Sequence, residues 1–165
     1  MPKTHRIKSI LFLTLVSGIF ISRADEASRL AELDVYWADV ARCVKEGDFK
    51  GYEASIRSDG VLVTGIKKQS YPLAKALARW KKEFDDTKAG TRKSNLTLRF
   101  SQRVGDDTTA HETGIFLYEA TMADGTSVKE YIHFESLLLK GDHWKTMMEY
   151  QKSKATEAEW NALAK

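Results

Sequence analysis

The sequence predicts an α+β domain in which three N-terminal helices cover one face of a curved antiparallel sheet. Between residues 26 and 89, apolar residues recur every three or four positions, which is the spacing of one side of a helix. From Lys93 onward they alternate with polar residues, and Gly-Asp turns separate the alternating segments, as in neighbouring antiparallel strands. Helices and strands that occupy different parts of the chain are typical of an α+β fold.

The helical half divides into three segments. Residues 26–46 carry an apolar stripe at helical spacing, and a glycine ends the segment. Asp48 is a suitable N-cap for a second, short helix. After a turn at 58–60 and a short strand at 61–65, the apolar spacing predicts a third helix from about residue 71 to 89.

The strand half is predicted to be a four-stranded antiparallel meander, with the strand at 61–65 inserted among the helices. The four strands are expected from Lys93 to the turn at Gly105 and then over residues 108–121, 127–139 and 143–152. Thr156 and Glu159 have the spacing of a capping box, which predicts a short helix in the tail.

The hairpin turns set the predicted register of the last three strands. Hairpins centred on Asp124-Gly125 and Gly141-Asp142 would place Tyr118 opposite Tyr131 and His133 opposite Tyr150. One face then has apolar residues near the second turn and polar and aromatic residues in its middle. The residues near the turn are Leu137, Leu139 and Trp144. A mixed patch of this kind is either a satisfied polar network or the wall of a cavity.

The residues expected to line this cavity are aromatic or polar in the main, and one comes from the first helix. They are Tyr36, Phe116, Tyr118, Tyr131, His133, Glu135, Met148 and Tyr150. No catalytic residue is assigned, although in an alternative hypothesis His133 and Glu135 act as an acid/base pair. We expect no metal site, because HETGI is not HExxH, and no cofactor, because Gly-rich phosphate loops are absent.

The other face of the predicted sheet is too apolar to meet water. Its apolar residues are Ile115, Leu117, Ile132, Phe134 and Met147. Three helices can cover only one face, so a second copy of the chain is expected to cover this one. The sequence therefore predicts a homodimer.

Two segments resemble the nuclear transport factor 2-like superfamily. EGDFKGYEASIRSDGVLVTG is similar to the family's opening, which is a helix, Gly-Asp, a short helix, Asp and a strand. GDHWKTMMEY is similar to its closing Asp-Gly-x-Trp-(Lys/Arg) strand. The resemblance covers roughly residues 30–153 and lies nearest the SnoaL-like group and the association domain of calmodulin-dependent kinases. It implies a cone-shaped sheet around the helices, open at one end and commonly dimeric.

The resemblance also implies positions for a site. In ketosteroid isomerase, an enzyme of this fold, a helix-one tyrosine, a first-strand aspartate and a later buried acid do the chemistry. By position these fall on Val40, Thr64 and Glu135, so isomerase chemistry of that type is disfavoured. The association domains have arginines at the positions of Tyr118 and Glu135, so an anionic ligand held by arginines is not implied.

The N-terminus has the pattern of an export signal. Four bases and no acids precede Asp25, and an apolar run spans residues 10–21. The remaining 22 bases and 23 acids nearly cancel, which gives no support for nucleic-acid binding. We expect a signal peptide at 1–24, a domain at 25–155 and a helical tail at 156–165, with no membrane contact after cleavage and a periplasmic or secreted location.

Three functions are compatible with these residues. The first is an exported domain that binds an unidentified small molecule in its cavity, without classical catalysis. The second is a SnoaL-like isomerase, cyclase or dehydratase that uses His133 and Glu135. The third is a homo-oligomeric assembly module whose pocket is incidental.

Export has a direct test. Mass spectrometry of protein purified from its native host should show an N-terminus at or near Asp25, because the small residues of Ser22-Arg23-Ala24 suit signal peptidase. An intact Met1 in a soluble cytoplasmic fraction would contradict the prediction.

Overall fold

A six-stranded sheet curves around three helices. The computed structural model describes residues 23–163. Its elements are α1 (Arg23–Glu46), α2 (Phe49–Ala54), β1 (Ile56–Thr64), β2 (Gln69–Pro72), α3 (Leu73–Lys88), β3 (Arg92–Gly105), β4 (Thr109–Met122), β5 (Ser127–Lys140), β6 (Trp144–Lys154) and α4 (Glu157–Ala162). The side of the sheet that faces α1–α3 is called the inner face, and the opposite side the outer face.

The strand order is β2-β1-β6-β5-β4-β3, and every neighbouring pair is antiparallel except β1 and β6. The predicted α+β architecture is therefore confirmed. Two details differ from the prediction. The edge strand β2 was not predicted, and β1 begins at Ile56 and includes residues 58–60, which were expected to form a turn. These residues bulge out of the β1–β6 ladder between its pairs at Ile56 and Val61, so the strand continues past them.

The corner between α1 and α2 requires a glycine. Gly47 has a φ of +69°, a conformation that side chains other than glycine rarely adopt. A Cβ at this position would also lie 2.4 Å from the backbone nitrogen of Lys88, at the end of α3. Asp48 then caps α2, as predicted, because its carboxylate accepts a hydrogen bond of 3.0 Å from the Gly51 amide.

The β4–β5 hairpin corrects the first predicted register by one residue. Thr121 pairs with Ser127, and the Met122 amide donates to the Thr126 carbonyl at 2.8 Å, so the loop contains three residues rather than two. Gly125 in this loop occupies the left-handed region at φ +86°. Leu117 therefore lies opposite Tyr131, and Ile115 opposite His133. A shift of one residue exchanges the two faces of one strand relative to its neighbour.

The β5–β6 hairpin corrects the second register and adds two bulges. Its first pair is Lys140 with Trp144, and the pairing then skips one residue at Met147 and another at Lys152. Trp144 and Thr146 face inward as the alternation predicts. Beyond Met147 the inward residues are Glu149 and Gln151, whereas Met148 and Tyr150 face outward.

The closed end of the cone is a dense core around Trp144. This residue is 4% exposed and packs with Leu33, Ala110 and Leu138. The prediction that Leu137 and Leu139 would accompany it is wrong, because the corrected register brings Leu138 inward. The Trp144 indole nitrogen donates to the Glu32 carboxylate at 2.8 Å, which satisfies its one polar group.

A fully buried carboxylate ties α1 to the sheet at the same end. Glu112 accepts hydrogen bonds from the Trp37 indole and from the Arg103 guanidinium. Arg103 also contacts the Asp34 carboxylate. A buried charge with a cation and a neutral donor is compensated, so Glu112 is a structural acid.

The terminal helix α4 covers part of the outer face. Thr156 and Glu159 form the predicted capping box, and Trp160 is buried against Ile115 and Leu117. Arg99 lies over the Trp160 ring, 4.1 Å from its centroid, and donates to the Trp160 carbonyl at 2.7 Å. The tail thus shields outer-face residues that were expected to meet a second copy.

The apolar set predicted for a dimer does not share one face. Ile115 and Leu117 lie outward beneath α4, Ile132 and Phe134 lie inward, and Met147 sits in the first β6 bulge. The cause is again the longer hairpin loop, which shifts β5 against β4.

The predicted signal peptide, residues 1–24, lies outside the described residues except for the first two residues of α1. Of the helices between residues 23 and 163, none is both long and apolar enough to cross a membrane.

Truncation of Trp144 should strongly destabilise the folded protein. Trp144→Ala removes a buried ring from the closed end, and we expect a loss of about 3–5 kcal/mol in the free energy of unfolding, measured by chemical denaturation. Tyr150→Ala is the matched control, because it truncates an aromatic on the outer face of the same strand and should cost much less. Equal losses for the two variants would contradict this assignment of faces.

Candidate functional site

A cavity of about 500 Å³ lies between the inner face of the sheet and the three helices, and it opens at the wide end of the cone. Its walls are aromatic, aliphatic and polar. The aromatic residues are Tyr36, Trp37, Tyr52, Trp80, Phe84, Phe116, Tyr118 and Phe134. The principal aliphatic residues are Val40, Val44, Ile56, Leu96, Leu98 and Ile132. A volume of this size matches that of small-molecule sites in proteins.

The aromatic rings form two connected groups on opposite walls. On the wall formed by α1 and the sheet, Trp37 contacts Tyr36 at a centroid distance of 5.0 Å and Phe134 at 5.9 Å. On the wall formed by α2 and α3, Tyr52 contacts Phe84 at 5.0 Å and Trp80 at 6.2 Å. Edge and tilted contacts of this kind hold the rings in place.

Glu149 is the carboxyl group in the interior of the cavity, whereas Glu83 and Glu130 line its mouth. Glu149 lies between Leu62 of β1 and Ser136 of β5, and the bulge at Met147 turns it inward. Its Oε1 accepts a hydrogen bond of 2.7 Å from the Gln151 amide. Burial raises the pKa of Glu149, and the Gln151 hydrogen bond offsets only part of that effect. The Glu149 side chain is buried within the fold but remains partly accessible, because it lines the cavity.

Two phenols lie near this carboxyl. The Tyr36 hydroxyl is 2.7 Å from Thr146 Oγ1 and donates to the Ser55 carbonyl at 3.1 Å. Burial raises the pKa of Tyr36 to about 12 and that of Tyr52 well above its usual value, and the Glu149 carboxylate adds to both effects. Both phenols therefore stay protonated. Among residues 23–163, the Tyr52 hydroxyl has no hydrogen-bond partner.

The mouth of the cavity is polar. The β1–β2 turn contributes Ile66 and Lys67, α3 contributes Arg79, and Lys154 at the end of β6 is 3.7 Å from Glu130. On the other side, a closed triangle of hydrogen bonds of 2.8–3.0 Å joins Glu83, Arg92 and Tyr118. An apolar interior with a polar rim is typical of small-molecule sites.

Three of the eight residues predicted to line the pocket lie in this cavity, namely Tyr36, Phe116 and Tyr118. The other five lie on the outer face, because the longer hairpin loops and the bulge at Met147 reverse their orientation. They are Tyr131, His133, Glu135, Met148 and Tyr150. The structure therefore does not bring the eight predicted residues together in one site.

The outward polar residues make surface contacts. His133 is 3.4 Å from Glu159 of α4, and the Tyr131 hydroxyl donates to Glu157 at 3.0 Å. Glu135 accepts a hydrogen bond of 2.6 Å from Lys152, which lowers the pKa of Glu135, and it lies 3.3 Å from His111. Within the described part of the chain, no three His, Cys, Asp or Glu residues are placed to hold a metal ion.

Glu149, the acid in the interior of the cavity, was not predicted. Val40 and Thr64, the positions implied by resemblance, do line the cavity, whereas Glu135 does not. One sequence feature could have indicated this. Met147 and Met148 are adjacent apolar residues that interrupt the alternation, and such an interruption is compatible with a bulge.

Comparison with known proteins identifies the fold. No protein-family model matches the sequence, and no curated protein matches it either. Solved structures do match. A candidate calcium/calmodulin-dependent kinase II association domain from Exiguobacterium sibiricum has a TM-score of 0.61 at 12% identity, covering 78% of this chain and 95% of that chain.

Two further solved structures are similar in fold to this chain. A candidate aromatic ring hydroxylase from Novosphingobium aromaticivorans has a TM-score of 0.61 at 14% identity, covering 78% of this chain and 94% of that chain. An NTF-2 like protein of unknown function from Shewanella oneidensis has a TM-score of 0.57 at 14% identity, covering 74% and 97%. The protein is thus an α+β cone with an internal cavity. Its fold is that of the nuclear transport factor 2-like superfamily, as the sequence motifs indicated.

The buried carboxyl should make stability depend on pH. Because the pKa of Glu149 is raised in the folded state, the native protein holds this proton more tightly than the unfolded chain does. Stability therefore falls as pH rises above the ordinary glutamate pKa of 4.5. We expect Glu149→Gln to become progressively more stable than wild type over that range, as measured by chemical denaturation at several pH values.

Glu135→Gln is the control, and its expected sign is opposite. The pKa of Glu135 is lowered in the folded state, so its carboxylate stabilises the fold at higher pH and the contribution is lost as pH falls. Parallel pH profiles for wild type and Glu149→Gln would show that Glu149 is not desolvated.

Proposed function

We propose that the protein binds a small organic molecule inside the cone. The observation that carries the proposal is the cavity of about 500 Å³, with aromatic walls and the inward-facing carboxyl of Glu149. A ligand would bury its apolar surface against these walls and use the few polar groups for orientation.

The polar groups that line the cavity favour a ligand site over an incidental void. Buried hydrogen-bonding groups in native proteins are nearly always satisfied within the protein, whereas groups that line a cavity can bond to a ligand. Glu149 has a single hydrogen bond, from Gln151, and the Tyr52 hydroxyl has none within the described region. Glu112, at the closed end, is fully satisfied by protein donors. The contrast supports Glu149 and Tyr52 as groups that contact a ligand.

The fold neighbours are compatible with this function without specifying it. One is a candidate aromatic ring hydroxylase and another is a candidate association domain. The alternative catalytic pair, His133 and Glu135, lies on the outer face, where His133 contacts Glu159 and Glu135 forms an ion pair with Lys152, outside the cavity. Binding in the cavity therefore has more support than catalysis by that pair.

Self-association stays a prediction. Association domains adopt this fold, and outer-face residues not packed against α4 include Leu137, Met148 and Tyr150, which are partly buried apolar or aromatic groups. We propose a homodimer through this part of the outer face. Sedimentation as a monomer at high micromolar concentration would contradict it.

Filling the cavity should weaken ligand binding. The neutral dye N-phenyl-1-naphthylamine should show enhanced, saturable fluorescence with wild type, because the cavity offers it an apolar environment. Leu98→Trp places an indole in the cavity and should weaken dye binding by about tenfold or more. Thr97→Trp, the adjacent exposed position on the same strand, is the control and should bind like wild type. Equal binding by both variants, or none by wild type, would overturn the proposal.

A further inference from the structure

Glu149 has no counter-cation in the part of the chain that the structure describes. Within residues 23–163 it forms no ion pair, and its hydrogen bond from Gln151 reaches Oε1 only. Of the cavity lysines, Lys154 lies against Glu130 at the mouth. The second carboxylate oxygen of Glu149 is thus available to a ligand.

The surroundings of Glu149 are aromatic. Tyr36 and Tyr52 are close enough for its charge to influence both phenols, and Phe116 lines the same cavity. Aromatic faces attract organic cations, and the attraction is stronger where water is excluded. A carboxylate together with several rings is the combination that recognises a protonated nitrogen on an apolar body.

A cationic ligand would also compensate the charge of the Glu149 carboxylate in the cavity. An ionised carboxylate enclosed by apolar walls is costly, and a neutral ligand leaves that cost unchanged. An ammonium group would compensate the charge, and a further N–H could donate to the Tyr52 oxygen. We propose that the ligand of this cavity is an organic amine whose ammonium group contacts Glu149. This inference rests on the proposed function, and it names the ligand class.

The competing ligand class is an anion held at the mouth. Lys67 and Arg79 are exposed there, and Arg79 donates to the Tyr71 hydroxyl at 3.1 Å and lies over the Tyr71 and Trp80 rings. Their charges face water, which screens them, whereas the Glu149 charge acts across an enclosed space. The interior group should therefore decide the preference.

A matched ligand series tests the inference. Bound N-phenyl-1-naphthylamine is displaced with 4-phenylbutylamine, 4-phenylbutan-1-ol or 4-phenylbutanoate at about pH 8, where the amine is protonated. For wild type we expect the amine to bind at least about tenfold more tightly than the alcohol. Glu149→Gln should still bind the dye and should lose the preference for the amine.

The double variant Lys67→Gln, Arg79→Gln is the control for the mouth. It should bind the amine as tightly as wild type does, or more tightly. Three results would overturn the amine assignment while dye binding still supported a ligand site. The first is equal displacement by amine and alcohol, and the second is a preference for the amine that persists in Glu149→Gln. The third is tightest binding by the carboxylate, provided that the double variant loses it. Failure of the dye to bind wild type would remove the proposed function and this inference with it.

Discussion

Which side chains of β6 face inward determines which chemical groups line the cavity. In a strand, one inserted residue exchanges the faces of every residue beyond it. The bulge at Met147 lets Trp144 and Thr146 face the helices at the closed end, and it then turns Glu149 and Gln151 into the cavity. Without it, Met148 and Tyr150 would face inward and no carboxyl would lie at that point.

Two glutamates on the strands that flank β5 show how the same side chain serves different roles. Glu112 and Glu149 both lie beside Ser136, one on each side of β5. Glu112 accepts hydrogen bonds from Trp37 and Arg103 and helps to hold α1 against the sheet. Glu149 has a neutral amide as its one partner and an open cavity in front of it. The difference in compensation separates the structural acid from the candidate site.

The outer face shows how the tail changes what the sheet can contact. A meander with apolar residues on both faces needs cover on both. Here α1–α3 cover the inner face, while α4 packs Trp160 on Ile115 and Leu117. His133 and Glu135, which might have formed an acid/base site, are instead in surface contacts: His133 lies 3.4 Å from Glu159 of that helix, and Glu135 accepts a hydrogen bond from Lys152.

The sequence alone determined the architecture. Helical spacing, the capping residue Asp48 and the capping box at Thr156 predicted α1, α2 and α4 because these features act within a few residues. The motifs around Gly47 and Trp144 indicated the fold. Five of the six strands were located because alternation is also local, whereas the edge strand β2 was not predicted.

Only the tertiary structure decided which residues face the cavity. Whether a hairpin loop has two or three residues, and whether a strand bulges, depends on which faces can be buried together across strands that are distant in sequence. Three predicted pocket residues kept their place, and five moved to the outer face because the register differed by one and β6 gained a bulge at Met147. Glu149 could not be assigned to the cavity from the sequence around it. Its orientation depends on that bulge, and its burial depends on helices more than 60 residues away in the chain.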